Sequence, residues 1–343
     1  MQHRTLGTSG QLVSVYSLGA MTFGAETPES DAFAILDAYV AAGGNFIDLA
    51  DVYAAGESER IVGRWLADRG LRDQLVLASK ARFPVGDAAG PNDQGLSRGH
   101  LHRALDASLA RLGVEHLDLY IAHASDPVTP MDEWLATLDG FVRAGKVHAV
   151  GVSNLRGYQL QRAIDITRVE GLTPIVSLQP QYNLLAREIE WELIPCCEEE
   201  GVGLTPWSPL GGGWLTGKYR RDERPTGSSR LGEDPDRGVE AYDVRSSRDQ
   251  TWAILDALGA IAGEHGASMS QIALAWVTAQ PTVSSTILGV RTLAQLEDNL
   301  GAVDLELSVE QLARLDEVST PPTPDYPYAL LDRIDATRLD GLR

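Results

Sequence analysis

Short apolar runs alternate with helix-length amphipathic stretches along the chain, and that alternation constrains its fold more than any other feature. Strand-like runs are read at residues 16–19, 75–79, 117–122, 147–151, 174–178, 202–205 and 284–288. One more opens the stretch Gly44-Asn45-Phe46-Ile47-Asp48-Leu49-Ala50-Asp51-Val52-Tyr53. Helical patterns begin near Glu29 and cover about 57–69, 97–109, 131–143, 158–168, 187–199, 249–265, 270–278, 293–300 and 309–318. Strands that are apolar throughout, set between helices, belong to parallel sheets covered on both faces. About eight such units predict an α/β fold, the closed (β/α)8 TIM barrel. An open doubly wound sheet is the rival, but it wants a glycine fingerprint after its first strand. Gly19-Ala20-Met21-Thr22-Phe23-Gly24 lacks that spacing.

Ahead of the barrel, residues 4–6 and 12–15 flank the turn Gly7-Thr8-Ser9-Gly10, which predicts an N-terminal β-hairpin. Extra helices are expected at the C-terminal end. The 343 residues suit one barrel, so 1–343 is read as a single barrel domain with a Pro- and Tyr-containing tail from about 319. The segment 209–246 is rich in Gly, Arg and Asp and has little apolar pattern.

A net charge of −19 argues against nucleic acid and anionic lipid as partners, while leaving room for a local basic pocket. No apolar run approaches the roughly 20 residues that cross a bilayer. The opening Met1-Gln2-His3-Arg4-Thr5-Leu6-Gly7 lacks a signal-peptide core, so a cytoplasmic location and no membrane partner are expected. Cys196 and Cys197 are adjacent, and a bond between neighbours closes no useful loop; they read as small residues on a buried helix. No Cys/His spacing of metal-site type is present, and no metal is expected.

In barrels the reactive groups gather at the carboxyl ends of the strands. The strand assignments put Asp48, Tyr53, Lys80, His123, Ser153, Asn154, Gln179, Trp207 and Arg291 at or just past those ends. Each has a plain alternative: Asp48 as a helix cap, Lys80 solvated, His123 a satisfied buried histidine, Trp207 simple core packing. Their convergence on one end of the barrel is what argues for a site. A tyrosine titrates near ~10 and donates poorly at neutral pH unless a cation lowers that value. Lys80 is the expected cation, Asp48 its counter-charge, and His123 a hydrogen-bond donor to an oxygen being reduced. This is general acid–base work on a carbonyl or alcohol, a small-molecule substrate, with no metal. Asp51 competes with Asp48 for the acidic role.

The chain resembles the aldo-keto reductase family. The motifs run in order from about Arg4 to Leu315: the LGTSG hairpin, GAMTFG, NFIDLADVY, LASKARF, DLYIAH, GKVHAVGVSN, SLQPQYNLL, TPWSPLGGGWLTGKY and ILGVRTLAQLEDNLGA. The resemblance implies hydride transfer between NADPH, in preference to NADH, and an aldehyde or ketone, with a catalytic tetrad of Asp48, Tyr53, Lys80 and His123. The step of five residues to Tyr53 matches from Asp48, which makes Asp51 a group behind the site or at its rim. It implies that Ser153, Asn154 and Gln179 hold the nicotinamide carboxamide, that Trp207 stacks on the ring, and that Ala20, Met21 and Asp48 adjoin the cofactor. Ser208, Pro209, Leu210, Gly211, Gly212 and Lys218 would line the pyrophosphate loop. Gly289, Arg291, Gln295, Asp298 and Asn299 would hold the adenosine end, with Arg291, Lys218 and Arg230 favouring a 2′-phosphate. Lys218 and Arg230 read equally well as solvated loop charges.

The run Ala124-Ser125-Asp126-Pro127 departs from the family with a smaller, more polar rim. Polar loops at about 81–95, 125–131 and 211–246, with the tail around Tyr326 and Tyr328, are expected to shape the substrate pocket, which suggests a sugar-like or polyhydroxylated carbonyl compound. The family also holds cofactor-sensing regulatory subunits, so a chain that binds nicotinamide with little turnover is the alternative.

Overall fold

Eight parallel strands, wound in one continuous order, form the (β/α)8 barrel anticipated from the alternating pattern. The protein is described here by a computed structural model, which covers residues 1–340 apart from 88, 228 and 237. Residues 341–343 of the barrel domain read from sequence, and those single loop positions, lie outside the described residues.

The hairpin comes first, β1 (His3–Thr5) paired antiparallel with β2 (Leu12–Ser14). The barrel strands are β3 (Tyr16–Gly19), β4 (Phe46–Asp48), β5 (Val76–Ala81), β6 (Leu117–Ala122), β7 (Val147–Ser153), β8 (Ile175–Gln179), β9 (Gly203–Leu204) and β10 (Thr286–Gly289). They lie in the order β10-β3-β4-β5-β6-β7-β8-β9. The ring is completed where Leu204 N–H donates to Thr282 O at 2.9 Å, Ser284 N–H to Leu204 O at 2.8 Å, and Ile287 N–H to Pro206 O at 3.1 Å.

Helices α1 (Glu29–Ala41), α2 (Glu57–Arg69), α3 (Arg98–Leu112), α4 (Met131–Arg143), α5 (Gly157–Glu170) and α6 (Leu193–Glu200) follow successive strands. Ser97 caps α3 by accepting from His100 N–H, as expected of a serine before an amphipathic run. Short helices α7 (Arg230–Glu233) and α8 (Tyr242–Ser246) precede α9 (Asp249–His265) and α10 (Met269–Ala279). After β10 come α11 (Leu293–Leu300), α12 (Val309–Ser319) and α13 (Leu330–Asp340).

Period-2 alternation divides the sheet's side chains between two cores. Phe46, Val76, Ala78, Leu119, Ile121, Ala149 and Val176 meet Leu6 and Val13 of the hairpin inside the barrel. Ile47, Leu77 and Tyr120 point the other way, into the layer shared with the helices. The hairpin closes the barrel's amino end tightly: a Cβ on Gly7, whose φ is +54°, would lie 2.2 Å from Val176 O. The same alternation puts Asp48 on the face of Phe46, and Lys80 on the face of Val76 and Ala78, at the opposite end of the barrel.

Two expectations need correction. The helix read at 187–199 is a 3-10 turn at Glu188–Glu190 followed by α6. Pro195 lacks an N–H and clashes with the carbonyl four residues back, so one helix does not run through. The segment 209–246 is no open loop: Trp214, Leu215, Tyr219, Leu231 and Tyr242 are buried, and Trp214 stacks on Tyr242. Its aromatics are too widely spaced to show a periodic pattern. Among the described residues no helix is long and apolar enough to cross a membrane.

Candidate functional site

Lys80, with no exposed surface, lies among three partners at the carboxyl end of β5. Its Nζ donates to Asp48 Oδ2 at 2.7 Å, to Leu49 O at 2.7 Å and to the Tyr53 hydroxyl at 3.2 Å. The other oxygen of Asp48 accepts from Gln179 Nε2 at 2.8 Å. Asp48 ends β4, Gln179 ends β8 and Ser153 ends β7, while His123 and Asn154 each follow a strand by one residue. The parallel register thus delivers side chains far apart in sequence to one mouth.

A chain of hydrogen bonds crosses that mouth. Ser153 Oγ donates to Gln179 O at 2.7 Å, and Asn154 Nδ2 donates to Ser153 Oγ at 2.9 Å and to His123 O at 3.0 Å. Trp207 Nε1 donates to Asn154 Oδ1 at 3.2 Å. The Tyr53 and His123 rings meet edge-on with centroids 6.1 Å apart, and Phe83 packs edge-on to His123. Among the described residues, the non-glycine positions with positive φ are Ala54, Ala55, Asn154 and Ser208. Two of them follow Tyr53 and two line the cavity described below. Such conformations are costly and persist where a site's geometry demands them.

The electrostatics follow from burial. Burial pulls the Lys80 ammonium down, but Asp48 and Tyr53 together outweigh it and hold its pKa above the ordinary lysine value. Burial raises the Tyr53 pKa above the ordinary phenol value, and Lys80 only partly offsets this because Asp48 opposes it. The expectation that Lys80 would make Tyr53 more acidic than a free phenol is therefore corrected. Tyr53 is half-buried and lines the cavity. Burial first, then Lys80 and Arg82, push His123 down to about 3, so its imidazole is neutral. Its buried Nδ1 has no hydrogen-bond partner.

Asp51 is neither at the rim nor paired. It is 1% exposed, and neither carboxylate oxygen has a hydrogen-bond partner. Burial and the nearby Glu59 raise it to about 7, against the pull of Arg111 and Lys80. The sequence offered no sign of this, because Glu59 and Arg111 belong to helices α2 and α3.

A cavity of about 680 Å³ runs from Tyr53 and His123 to Arg291. Its wall includes Met21, Asp48, Ser153, Asn154, Gln179, Trp207, Ser208, Pro209, Leu210, Gly212, Lys218, Arg230, Gly289, Gln295, Asp298 and Asn299. Three residues expected at the site stand behind that wall. Lys80 is beneath Tyr53. Ala20 is buried, accepting from Ser58 Oγ at 2.7 Å. Gly211 is buried beside Leu185.

The wall also holds residues that the sequence did not single out. Thr22 lies in the loop after β3, and Ser270 and Leu274 lie one turn apart on α10. An ordinary buried helix face carries no mark of such a role. Among the described residues of the loops expected to shape a substrate pocket, only those of 211–246 reach this wall. Asp126 instead braces its own loop, accepting from Leu96 N–H, Val128 N–H and the Thr129 hydroxyl. Tyr328 packs on Trp191 and donates to Glu192.

The far end of the cavity is cationic but balanced. Burial, then Arg291 and Arg230, lower the Lys218 ammonium below its ordinary value. Arg291 pairs with Glu26 and Glu233, each at 3.2 Å. Between the ends, Gly212 and Gly213 have positive φ, and a Cβ on them would lie 2.0 Å from Glu240 Oε2 and 2.6 Å from Lys218 Nζ. The residues fit a long dianionic group: amides and an indole at one end, a close glycine cradle in the middle, guanidinium and ammonium groups at the other. That is the outline of a nicotinamide dinucleotide.

Comparison with known proteins agrees. The profile described as "Aldo/keto reductase family" matches residues 17–320. An "Uncharacterized oxidoreductase YrpG" of Bacillus subtilis (strain 168) is 36% identical over 336 residues, covering 96% of this chain and 99% of that one. A "Probable voltage-gated potassium channel subunit beta" of Oryza sativa subsp. japonica is 38% identical over 311 residues, 89% of this chain and 92% of that one. The "Versiconal hemiacetal acetate reductase" of Aspergillus parasiticus is 31% identical over 344 residues, 94% and 98%.

Proposed function

The chain belongs to the aldo/keto reductase family and is an NAD(P)-dependent oxidoreductase, and from that premise we propose that it reduces an aldehyde or ketone to the alcohol with NADPH, reversibly, with Tyr53 moving the proton. The observation that carries this reading is Lys80 Nζ between Asp48 and the Tyr53 hydroxyl.

Bound NADPH supplies a hydride. Tyr53 gives its hydroxyl proton to the carbonyl oxygen, so that hydride and proton together complete C–H and O–H. Raised above an ordinary phenol, Tyr53 is fully protonated before reduction and needs help only as the phenolate forms. Lys80 stabilises that developing charge, and Asp48 keeps Lys80 in place. Charge stabilisation of this kind acts strongly in a water-poor site. Neutral His123 donates one hydrogen bond to the same oxygen without competing for the proton.

Gln179 already spends one of its two amide hydrogens on Asp48, which leaves the other, and its carbonyl oxygen, for the carboxamide. Asn154 and Ser153 complete that contact, and Trp207 offers a flat face to the ring. The turn from Ser208 to Gly212 would pass close to the pyrophosphate. Arg291, with Lys218 and Arg230, would grip the 2′-phosphate and so favour NADPH over NADH. Ala20 acts only through its backbone, bonding Asp48 O.

The polar loops that suggested a sugar-like substrate lie mostly outside the cavity wall, so the proposal is confined to the carbonyl class. The second reading is the family alternative, a cofactor-sensing regulatory subunit with little turnover, and the rice relative's name as a channel subunit favours a regulatory role. NADPH oxidation measured against a panel of aldehydes, ketones and sugars separates the two. Turnover well above background on any member supports the enzyme reading. Saturable NADPH binding with no turnover on the whole panel supports the other.

A further inference from the structure

At the amino end of the barrel, away from the cavity, a second cluster is left unused by this chemistry. His116 precedes β6 by one residue and Asp118 is the second residue of that strand. Two residues apart in extended chain, their side chains share a face. Leu117 pairs with Val147 and Leu119 with Ala149, so His148 of β7 stands beside Asp118. One nitrogen from each histidine and one oxygen of Asp118 all lie within 4.8 Å of one another. The two imidazoles stack with centroids 4.2 Å apart, and His148 Nδ1 is 3.5 Å from Asp118 Oδ1.

The carboxylate is held from its other side. Asp118 Oδ2 accepts from Leu77 N–H at 2.8 Å and pairs with Arg72 at 2.9 Å, leaving Oδ1 turned to His148. Asp118 is buried, His116 half-buried and His148 exposed, so the cluster has a fixed anchor and an open side.

We propose that His116, Asp118 and His148 bind a divalent transition metal of the zinc type, with water as the fourth ligand. Two imidazoles and one carboxylate suit zinc, whereas magnesium and calcium want oxygen ligands. Metal–ligand distances of about 2.1 Å place tetrahedral donors about 3.4 Å apart. The donors therefore close in on binding, and exposed His148 has room to turn. The Arg72 cation opposes the metal, which makes this a reversible site rather than a permanent structural one. When filled, it ties β6 to β7 and stabilises the fold by mass action. The set escapes a sequence search because strand register, not spacing, assembles it.

The test uses the full chain, stripped with a chelator and titrated with Co(II) and then Zn(II). One equivalent should bind, with the intense visible bands of tetrahedral Co(II) and a rise in the unfolding temperature. His148→Ala, at an exposed position, should fold normally, bind NADPH unchanged and weaken metal binding by about tenfold or more. His116→Ala should do the same. Absence of stoichiometric binding by the unaltered chain would overturn the proposal, as would variants that bind the metal as tightly as the unaltered chain does.

Discussion

Gln179 donates from Nε2 to Asp48 Oδ1 at 2.8 Å, across the barrel mouth from the lysine that holds the other oxygen. A buried ion pair repays its desolvation only when its remaining lone pairs are satisfied. The two contacts do this for Asp48. Lys80→Met would leave a buried carboxylate without its cation, and the expected loss is about 3–5 kcal/mol. Urea unfolding checks it. A loss below about 1 kcal/mol would mean that Asp48 is not held as a charged partner.

Tyr53→Phe removes the hydroxyl and keeps the ring that packs edge-on to His123. NADPH affinity should hold, while carbonyl reduction falls by about two or more powers of ten. Steady-state rates alongside fluorescence titration of the cofactor separate the two effects. Near-normal turnover would remove Tyr53 from its role.

Stability against pH should show two opposed slopes. Asp51 is raised to about 7, so the folded state holds its proton more tightly than the unfolded chain. Its contribution is present below about pH 4 and is lost as pH rises toward 7. His123 is lowered to about 3, so the unfolded chain takes the proton first. That contribution is present above about pH 6.5 and is lost as pH falls. Each slope is about 1.4 kcal/mol per pH unit, and they oppose one another between about pH 4 and 6.5. Asp51→Asn should expose the rising slope and His123→Gln the falling one. Unfolding free energies of the three proteins across that range decide it; parallel curves would refute both assignments.

Much of the barrel was legible in sequence because buried parallel strands must be apolar throughout. β6 and α4 have the bounds that the pattern suggests, and the strand-end rule alone brings Asp48, Lys80 and His123 together. What stayed hidden depends on contacts between distant elements. Asp51 reads as a group behind the site or at its rim, and its burial shows only when α2 and α3 pack over it. Arg291 reads as an available cation until Glu26 and Glu233 meet it. Tyr53 reads as acidified until its burial is weighed against Lys80.

Gly212 tests the cradle. With φ at +64° and a Cβ position 2.0 Å from Glu240 Oε2, alanine must displace a carboxylate that accepts from Ser208 Oγ and Gln181 Nε2. Gly212→Ala should cost about 1 kcal/mol or more of stability from the left-handed backbone alone. NADPH affinity should fall by roughly tenfold as the turn at Ser208 shifts. Thermal unfolding and cofactor titration measure the two losses. An unchanged affinity would show that the turn does not contact the cofactor.

Arg291 bears on cofactor choice, and its surroundings sharpen the expectation. Glu26 and Glu233 hold the guanidinium at the cavity wall, so a 2′-phosphate would have to compete with two carboxylates. A dianionic phosphate is the stronger bidentate partner. A charge-assisted contact contributes about 1.5–3 kcal/mol, so Arg291→Ala should weaken NADPH by about ten- to a hundredfold. NADH, lacking that phosphate, should bind almost as before. Glu233→Gln removes one competitor and should tighten NADPH alone. Dissociation constants for both cofactors with all three proteins complete the comparison. Equal losses of NADPH and NADH in Arg291→Ala would place the guanidinium on a part the two cofactors share, and the 2′-phosphate assignment would fail.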